Sequence, residues 1–255
     1  ETLASVQENA HQFKNALVTW GHIGVHFGQS LKVVVHQAGL LKRTGQAQLA
    51  LAKLVHNQKR ASVNDTEFWR LYGDLSWESK HKDNALMAYK ILWDSSPKEM
   101  LAAERLIQLL RDKAQGNESV AVAYKAYQRF NQPRWLLLAM DAASQFRLWA
   151  KLGQYMQIAQ ANKKQFERLE MYWLIHAQYN IHHQNQRQAM ADYRRAHAIN
   201  PASKIAKEGE LWTLIDLQNK VVGRLNTVSQ QFSTSLESEC VYPTSFKASI
   251  CPKTR

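Results

Sequence analysis

The spacing of the prolines constrains the fold of this 255-residue chain more than any other feature. Three of its five prolines are Pro97, Pro133 and Pro201, separated by 36 and 68 residues, and 68 is twice 34. A period of about 34 residues is typical of stacked helix–turn–helix units. Proline ends the second helix of such a unit because the residue before it avoids the α region. The sequence therefore predicts a repetitive helical protein.

Two segments, 66–97 and 170–201, share one pattern of residue types. Counted from its first residue, each has tryptophan at position 4, a small residue at 8, alanine at 20, tyrosine at 24 and proline at 32. This pattern resembles the tetratricopeptide repeat (TPR) family. The matching residues are Trp69, Gly73, Ala85, Tyr89 and Pro97 in one segment, and Trp173, Ala177, Ala189, Tyr193 and Pro201 in the other.

The resemblance implies an all-α, superhelical solenoid of antiparallel helix pairs. We expect one solenoid over 1–219, and the unit at 134–167 to break near Leu152-Gly153. The Ser/Thr-rich segment 220–255 predicts an extended or poorly ordered tail, because no helical period is evident beyond about Phe232. Within the solenoid we expect N-terminal helices over 1–30, about five helix-pair repeats over 31–201, and a terminal helix over 202–219.

Composition and motifs indicate a protein without an active site. Ten glycines and five prolines are few for this length, which favours helices over many strands. No G-x-S-x-G, P-loop, G-x-G-x-x-G or C-x-x-C motif occurs, so we predict no enzyme and no cofactor. His22 and His26 have the spacing of two metal ligands, but no third ligand accompanies them, so no metal is predicted. Cys240 and Cys251 could form one disulfide in an oxidising compartment.

The aromatic cluster in FWRLYGDLSWE (residues 68–78) could be a stacking platform for sugars or bases, or part of the core. Trp69 and Tyr72 fall at repeat positions 4 and 7, where the family packs its helices together. Trp77 falls at position 12, which the family directs into its concave groove. We therefore predict that the aromatic cluster is mainly core, and that Trp77 is its only aromatic residue that faces a partner.

The family's groove positions supply the predicted partner-binding residues. The resemblance implies that the first helix of each pair lines a concave face that holds a protein partner. On this basis the candidates are Glu67, Arg70, Asp74, Trp77, Glu78, Glu104, Gln108, Arg111, Gln178 and His182.

A net charge of +12 leaves an alternative function open. Positive charge suggests an acidic partner or surface. No nucleic-acid-binding module accompanies it, so no nucleic-acid partner is predicted. The alternative is direct binding of a charged polysaccharide or other polymer, along the groove or on the basic segments that flank it. Charge-driven binding of that kind would weaken steeply with salt.

One repeat carries a narrower resemblance. The run WRLYGDLSW (69–77), continued by ALMAYKILW (85–93), resembles the periplasmic repeat region of the PelB family, which exports the Pel exopolysaccharide of biofilms. That resemblance implies a periplasmic scaffold, associated with the outer membrane, that docks a polysaccharide-modifying enzyme. Any membrane contact would be made by segments outside this chain. A cytoplasmic adaptor is the alternative location.

Overall fold

A computed structural model of the chain describes residues 2–96 and 98–240, with the side chains of those up to residue 231. Within these residues the chain forms fourteen α-helices and no strand. The helices are α1 Thr2–Asn9, α2 Phe13–Phe27, α3 Leu31–Arg43, α4 Ala47–Asn57, α5 Thr66–Glu78, α6 Lys82–Ser95, α7 Met100–Asp112, α8 Gly116–Phe130, α9 Pro133–Gln145, α10 Trp149–Ala161, α11 Lys163–Phe166, α12 Glu170–His182, α13 Gln186–Ile199 and α14 Lys204–Cys240.

The described helices pack as sequential antiparallel pairs, which confirms the predicted fold class. The two segments that share the repeat pattern form the pairs α5/α6 and α12/α13. The chain divides into two compact units, Glu1–Tyr155 and Met156–Arg255, and each of these pairs belongs to a different unit.

A left-handed residue closes the turn inside each repeat. Five successive turns contain a residue with φ between 56° and 81°. At each, the next residue donates its N–H to a carbonyl five residues earlier, as His81 does to Ser76 at 2.8 Å. This arrangement caps the first helix and reverses the chain within three residues. The left-handed residues are Gly45, Lys80, Ala114, Arg147 and Gln184.

In the unit Glu1–Tyr155, the aromatic cluster is core, as the repeat positions predict. Phe68, Trp69 and Tyr72 are only 1%, 4% and 0% exposed. Gly73 lets α5 and α6 approach, because a Cβ there would lie 2.9 Å from the Tyr89 ring. Trp77 is half-buried, unlike the other three aromatic residues of the cluster.

In the unit Met156–Arg255, Trp173, Ala177 and Tyr193 occupy the same repeat positions and are likewise buried. Their pair encloses a polar network, since the buried carboxylate of Asp192 has Nδ1 of His176 at 2.6 Å. Helix α14 then packs on α13, where a side chain at Gly209 would collide with the Tyr193 ring.

Two boundary predictions need correction. The break in 134–167 lies at 146–148, where Arg147 is left-handed, and Leu152-Gly153 lies inside α10. The terminal helix does not end at 219 but continues to Cys240, so 220–240 is not extended. Leu225 favours a helix, and the exposed Val221 and Val222 do not break α14, because valine lowers helix propensity far less than glycine or proline. Residues 241–255, the rest of the predicted tail, lie outside the described residues.

Candidate functional site

Two adjoining recesses flank α7 in the unit Glu1–Tyr155. The first has a volume of about 450 Å³ and lies among α5, α6 and α7. The second has a volume of about 620 Å³ and lies between α7 and α9. Gln108 and Asp112 line both. The recesses therefore adjoin at Gln108 and Asp112, and we call the two together the α7 groove.

The surface of the first recess is mainly apolar, although Glu78, Lys82 and Asp112 also line it. Leu109 and Ala85 contribute to it, and Ala85, at repeat position 20, is small enough to leave the space open. The guanidinium of Arg105 lies 4.2 Å from the centre of the Trp77 ring, a cation–π contact that holds the indole in place. A recess of this kind suits an apolar side chain, because burying one there removes apolar surface from water.

The second recess is polar, but its charges are paired. Arg134 lies 2.9 Å from Glu104, and Arg111 lies 2.7 Å from Asp141. Nε of Arg111 also donates to Gln145 at 2.9 Å. These contacts join α7 to α9, so the charged wall of this recess is held by the fold itself.

Similar ion pairs neutralise the acids around α5. Lys42 lies 2.7 Å from Glu78, and Lys82 lies 2.6 Å from Asp112. Arg70 donates to Glu99, and this hydrogen bond raises the pKa of Arg70. The acidic residues Glu78 and Asp112 of the groove are therefore paired within the chain.

Asp74 accepts a hydrogen bond from the hydroxyl of Tyr89 at 2.8 Å. Burial raises the pKa of Tyr89, and the hydrogen bond to Asp74 raises it further. Because the phenol stays protonated, it continues to donate to Asp74. This contact ties α5 to α6 and gives Asp74 a role inside the repeat.

The structure brings five of the ten predicted partner-binding residues together in the α7 groove: Trp77, Glu78, Glu104, Gln108 and Arg111. Glu67, Arg70 and Asp74 lie on α5 but do not line either recess. Gln178 and His182 are exposed on α12, in the other unit. The partner-binding role of all ten stays a prediction.

Lys82 and Arg134 line the groove but are absent from the predicted set. The sequence contains a pattern that predicts these residues, because residues of opposite charge recur 30 positions apart. Lys82–Asp112, Asp83–Lys113, Glu104–Arg134 and Arg111–Asp141 all have this separation and all pair in the structure.

Neither a metal-ligand cluster nor a candidate membrane span is found among the described residues. There, no three His, Cys, Asp or Glu side chains group as a metal site would require, and the rings of His22 and His26 are 6.4 Å apart. None of the helices described combines the length and apolarity needed to cross a bilayer. The side chain of Cys240 and all of Cys251, which could form a disulfide in an oxidising compartment, lie outside the described residues.

The chain is similar to known repeat proteins. A family model described as tetratricopeptide repeat matches residues 26–232. YrrB, a TPR protein with an unusual peptide-binding site, is 12% identical in sequence with a TM-score of 0.59, over 74% of this chain and 96% of that one. A chain of the Naa15/Naa10 complex bound to HypK-THB is 15% identical with a TM-score of 0.55, over 84% of this chain and 38% of that one. No curated protein matches. At these identities the structural likeness shows the fold alone.

Proposed function

This chain belongs to the tetratricopeptide repeat family, and we propose that it is a non-enzymatic scaffold that binds a protein partner as an extended peptide segment in the α7 groove. The observation that carries the proposal is the pairing of an apolar recess with a charge-neutralised one beside it. YrrB, which shares the fold, is itself a TPR protein with a peptide-binding site.

The groove fits a peptide segment that places one apolar side chain beside Trp77 and Leu109. The neighbouring backbone would then run over Gln108, whose amide can both donate to and accept from peptide groups. Burial of the apolar side chain supplies affinity, and the amide contacts fix direction. Because Lys82–Asp112 and Arg134–Glu104 already pair, binding need not depend strongly on salt.

The alternative of charged-polysaccharide binding along the groove has less support. A polyelectrolyte needs unpaired charge of one sign in succession, and Glu78, Glu104 and Asp112 each pair with a cation of the chain. A polymer would have to break these pairs before gaining its own. We therefore favour the protein partner.

We further propose that the partner is a polysaccharide-modifying enzyme of an exopolysaccharide export system that builds biofilms. The support is the resemblance of residues 69–77 to the PelB family. The proposed location is the periplasm, in a protein associated with the outer membrane. Cell fractionation of the natural protein tests the location, and a purely cytoplasmic signal would contradict it. Co-purification with the enzyme encoded beside the export machinery tests the partner, and loss of the pair in a Gln108→Arg variant is expected.

The groove itself is tested without a known partner. A random peptide library is selected on the immobilised chain, and the dissociation constant of each recovered peptide is measured by fluorescence anisotropy. Gln108→Arg places a long cation in both recesses, so we expect at least about tenfold weaker binding, a loss of about 1.4 kcal/mol.

Gln178→Arg is the matched control, because Gln178 has the same side chain on the first helix of another pair, outside the α7 groove. We expect it to bind the peptides as the wild type does. Equal losses in the two variants, or none in either, would reject the α7 groove as the binding site.

A further inference from the structure

A second hollow, of about 460 Å³, lies between the start of α2 and the end of α3, in the unit Glu1–Tyr155. Residues 11–15 line it together with Arg43 and Thr44. Lys14 and Arg43 bring two positive charges, and no acidic residue lines the hollow. The lining therefore has the composition of an anion site.

We call the place where the start of α2 meets the end of α3 the α2–α3 corner. An equivalent corner, between the start of α6 and the end of α7, lies in the same unit. Adding 69 to each number maps the start of α2 onto the start of α6, and the whole of α3 onto α7. The turns correspond as well, because His11 and Lys80 are both left-handed, with φ of 57° and 62°. The two corners thus share one backbone arrangement and differ in their side chains.

At the α6–α7 corner the charged residues form ion pairs with each other. Asp83 pairs with Lys113, and Lys82 pairs with Asp112 at 2.6 Å. The two carboxylates are thus the anions of that corner, and each faces a cation of the adjacent helix end.

At the α2–α3 corner both carboxylate positions carry cations. Lys14 stands where Asp83 stands, and Arg43 stands where Asp112 stands. Within the described residues neither cation has an ion-pair partner, and Arg43 instead lies 5.2 Å from the centre of the Phe13 ring. This packing positions the guanidinium at the hollow while leaving its charge uncompensated.

We propose that the α2–α3 corner binds a phosphate group, which supplies the negative charge that no residue lining the hollow provides. A tetrahedral oxyanion presents several acceptor oxygens and about two negative charges, so it can accept from Lys14 and Arg43 at once. Arginine binds phosphate through two parallel N–H groups, and lysine binds it as a point charge. A carboxylate, with two oxygens and one charge, would satisfy only part of this set.

The test is a titration of the full ¹⁵N-labelled chain with inorganic phosphate, followed by NMR. The expected result is a saturable shift of the backbone amides of 13–15 and of the Arg43 side chain. Glycerol phosphate, a phosphate monoester, should produce the same shifts if the group can be part of a larger ligand. Acetate at equal ionic strength should not saturate them.

Lys14→Glu should weaken phosphate binding at least about tenfold, because it removes a cation and adds an anion. Lys98→Glu is the matched control, because Lys98 is an exposed lysine of the same unit and lies outside the hollow. We expect it to leave the affinity within about twofold of wild type. Lys14→Gln only removes the positive charge, so its phosphate affinity should lie between those of Lys14→Glu and Lys98→Glu.

Three outcomes would overturn the proposal. One is the absence of saturation with phosphate. Another is equal saturation by acetate, which would indicate attraction to any anion. The third is equal weakening by Lys14→Glu and Lys98→Glu, which would mean that net charge of the chain, and not the corner, governs the binding.

Discussion

The pairs α5/α6 and α12/α13 have the same repeat pattern but different interiors. Both bury a tryptophan at position 4, and its indole N–H donates to a backbone carbonyl before the helix at 2.8 Å, from Trp69 to Ser62 and from Trp173 to Glu167. Both close their turn with a left-handed residue, Lys80 or Gln184. The interior of α5/α6 is mainly apolar, whereas α12/α13 encloses a hydrogen-bonded carboxylate.

The two interiors differ at three equivalent positions, whose residue numbers are 104 higher in α12/α13 than in α5/α6. Tyr72, Ser76 and Ala88 line the interior of α5/α6, while His176, Asn180 and Asp192 occupy the same places in α12/α13. Asp192 is fully buried and accepts from Asn180 at 2.8 Å, so the polar interior is satisfied. The repeat pattern thus specifies the backbone of a pair, while the interior between its helices can be either apolar or polar.

The largest expected effect is on the polar interior. Asp192→Ala removes the shared acceptor of His176, Asn180 and Gln188, whose contacts with it range from 2.6 to 3.1 Å. Each buried donor left without its acceptor costs about 1–3 kcal/mol, so the loss of three contacts together should exceed about 3 kcal/mol. Urea unfolding followed by circular dichroism should show this loss of unfolding free energy.

Asp216→Ala is the control for that measurement, because Asp216 is a half-exposed carboxylate of the same unit that pairs with Lys220 at i,i+4. It should cost at most about 0.5 kcal/mol. A loss from Asp192→Ala no larger than that of the control would mean that the network contributes little stability.

A smaller effect is expected at the small residue of position 8. Gly73→Ala should destabilise the chain by about 1–3 kcal/mol, because the added Cβ meets the Tyr89 ring at 2.9 Å. Alanine is a better helix former than glycine, so helix propensity alone predicts the opposite sign. In α12/α13 the same position is already Ala177.

A double-mutant cycle with Tyr89→Leu identifies the cause. In the Tyr89→Leu background the ring is gone, so Gly73→Ala should cost much less. If its cost is unchanged there, the close approach of Gly73 and Tyr89 is not what makes position 73 glycine.

The smallest expected effect should be equal in the two pairs. Lys80→Gly and Gln184→Gly should each stabilise the chain by about 1 kcal/mol, because both residues pay the steric cost of the left-handed conformation. Melting temperatures of the two variants provide the measurement. A loss of stability in either would show that its side chain contributes more than its backbone strain costs.

The sequence predicts the helix pairs well, because tryptophan, small residue, tyrosine and proline recur at fixed spacing. It misplaces the break at 146–148, since Arg147 carries no turn signal, although it adopts the left-handed conformation and the next residue donates its N–H to the Ala143 carbonyl. The continuation of α14 is missed for a different reason, because its valines are exposed and give no core pattern.

The sequence predicts only some of the residues that form the candidate site. Repeat positions predict that Trp77 and Gln108 face a groove, and both residues line the α7 groove, although their partner-binding role stays a prediction. They do not show that Arg70 and Asp74 are engaged by Glu99 and Tyr89, since such contacts depend on which side chains the neighbouring helix presents.

The most direct test of the account is an amide chemical-shift map of a library-selected peptide on the full chain. A scaffold that binds through the α7 groove predicts the largest shifts in 76–85 and 104–112, with smaller ones on α9. It also predicts little change on α12, although Gln178 and His182 occupy predicted partner-binding positions there. Largest shifts on α12, or shifts spread evenly over the chain, would contradict the assignment of the α7 groove as the partner-binding site.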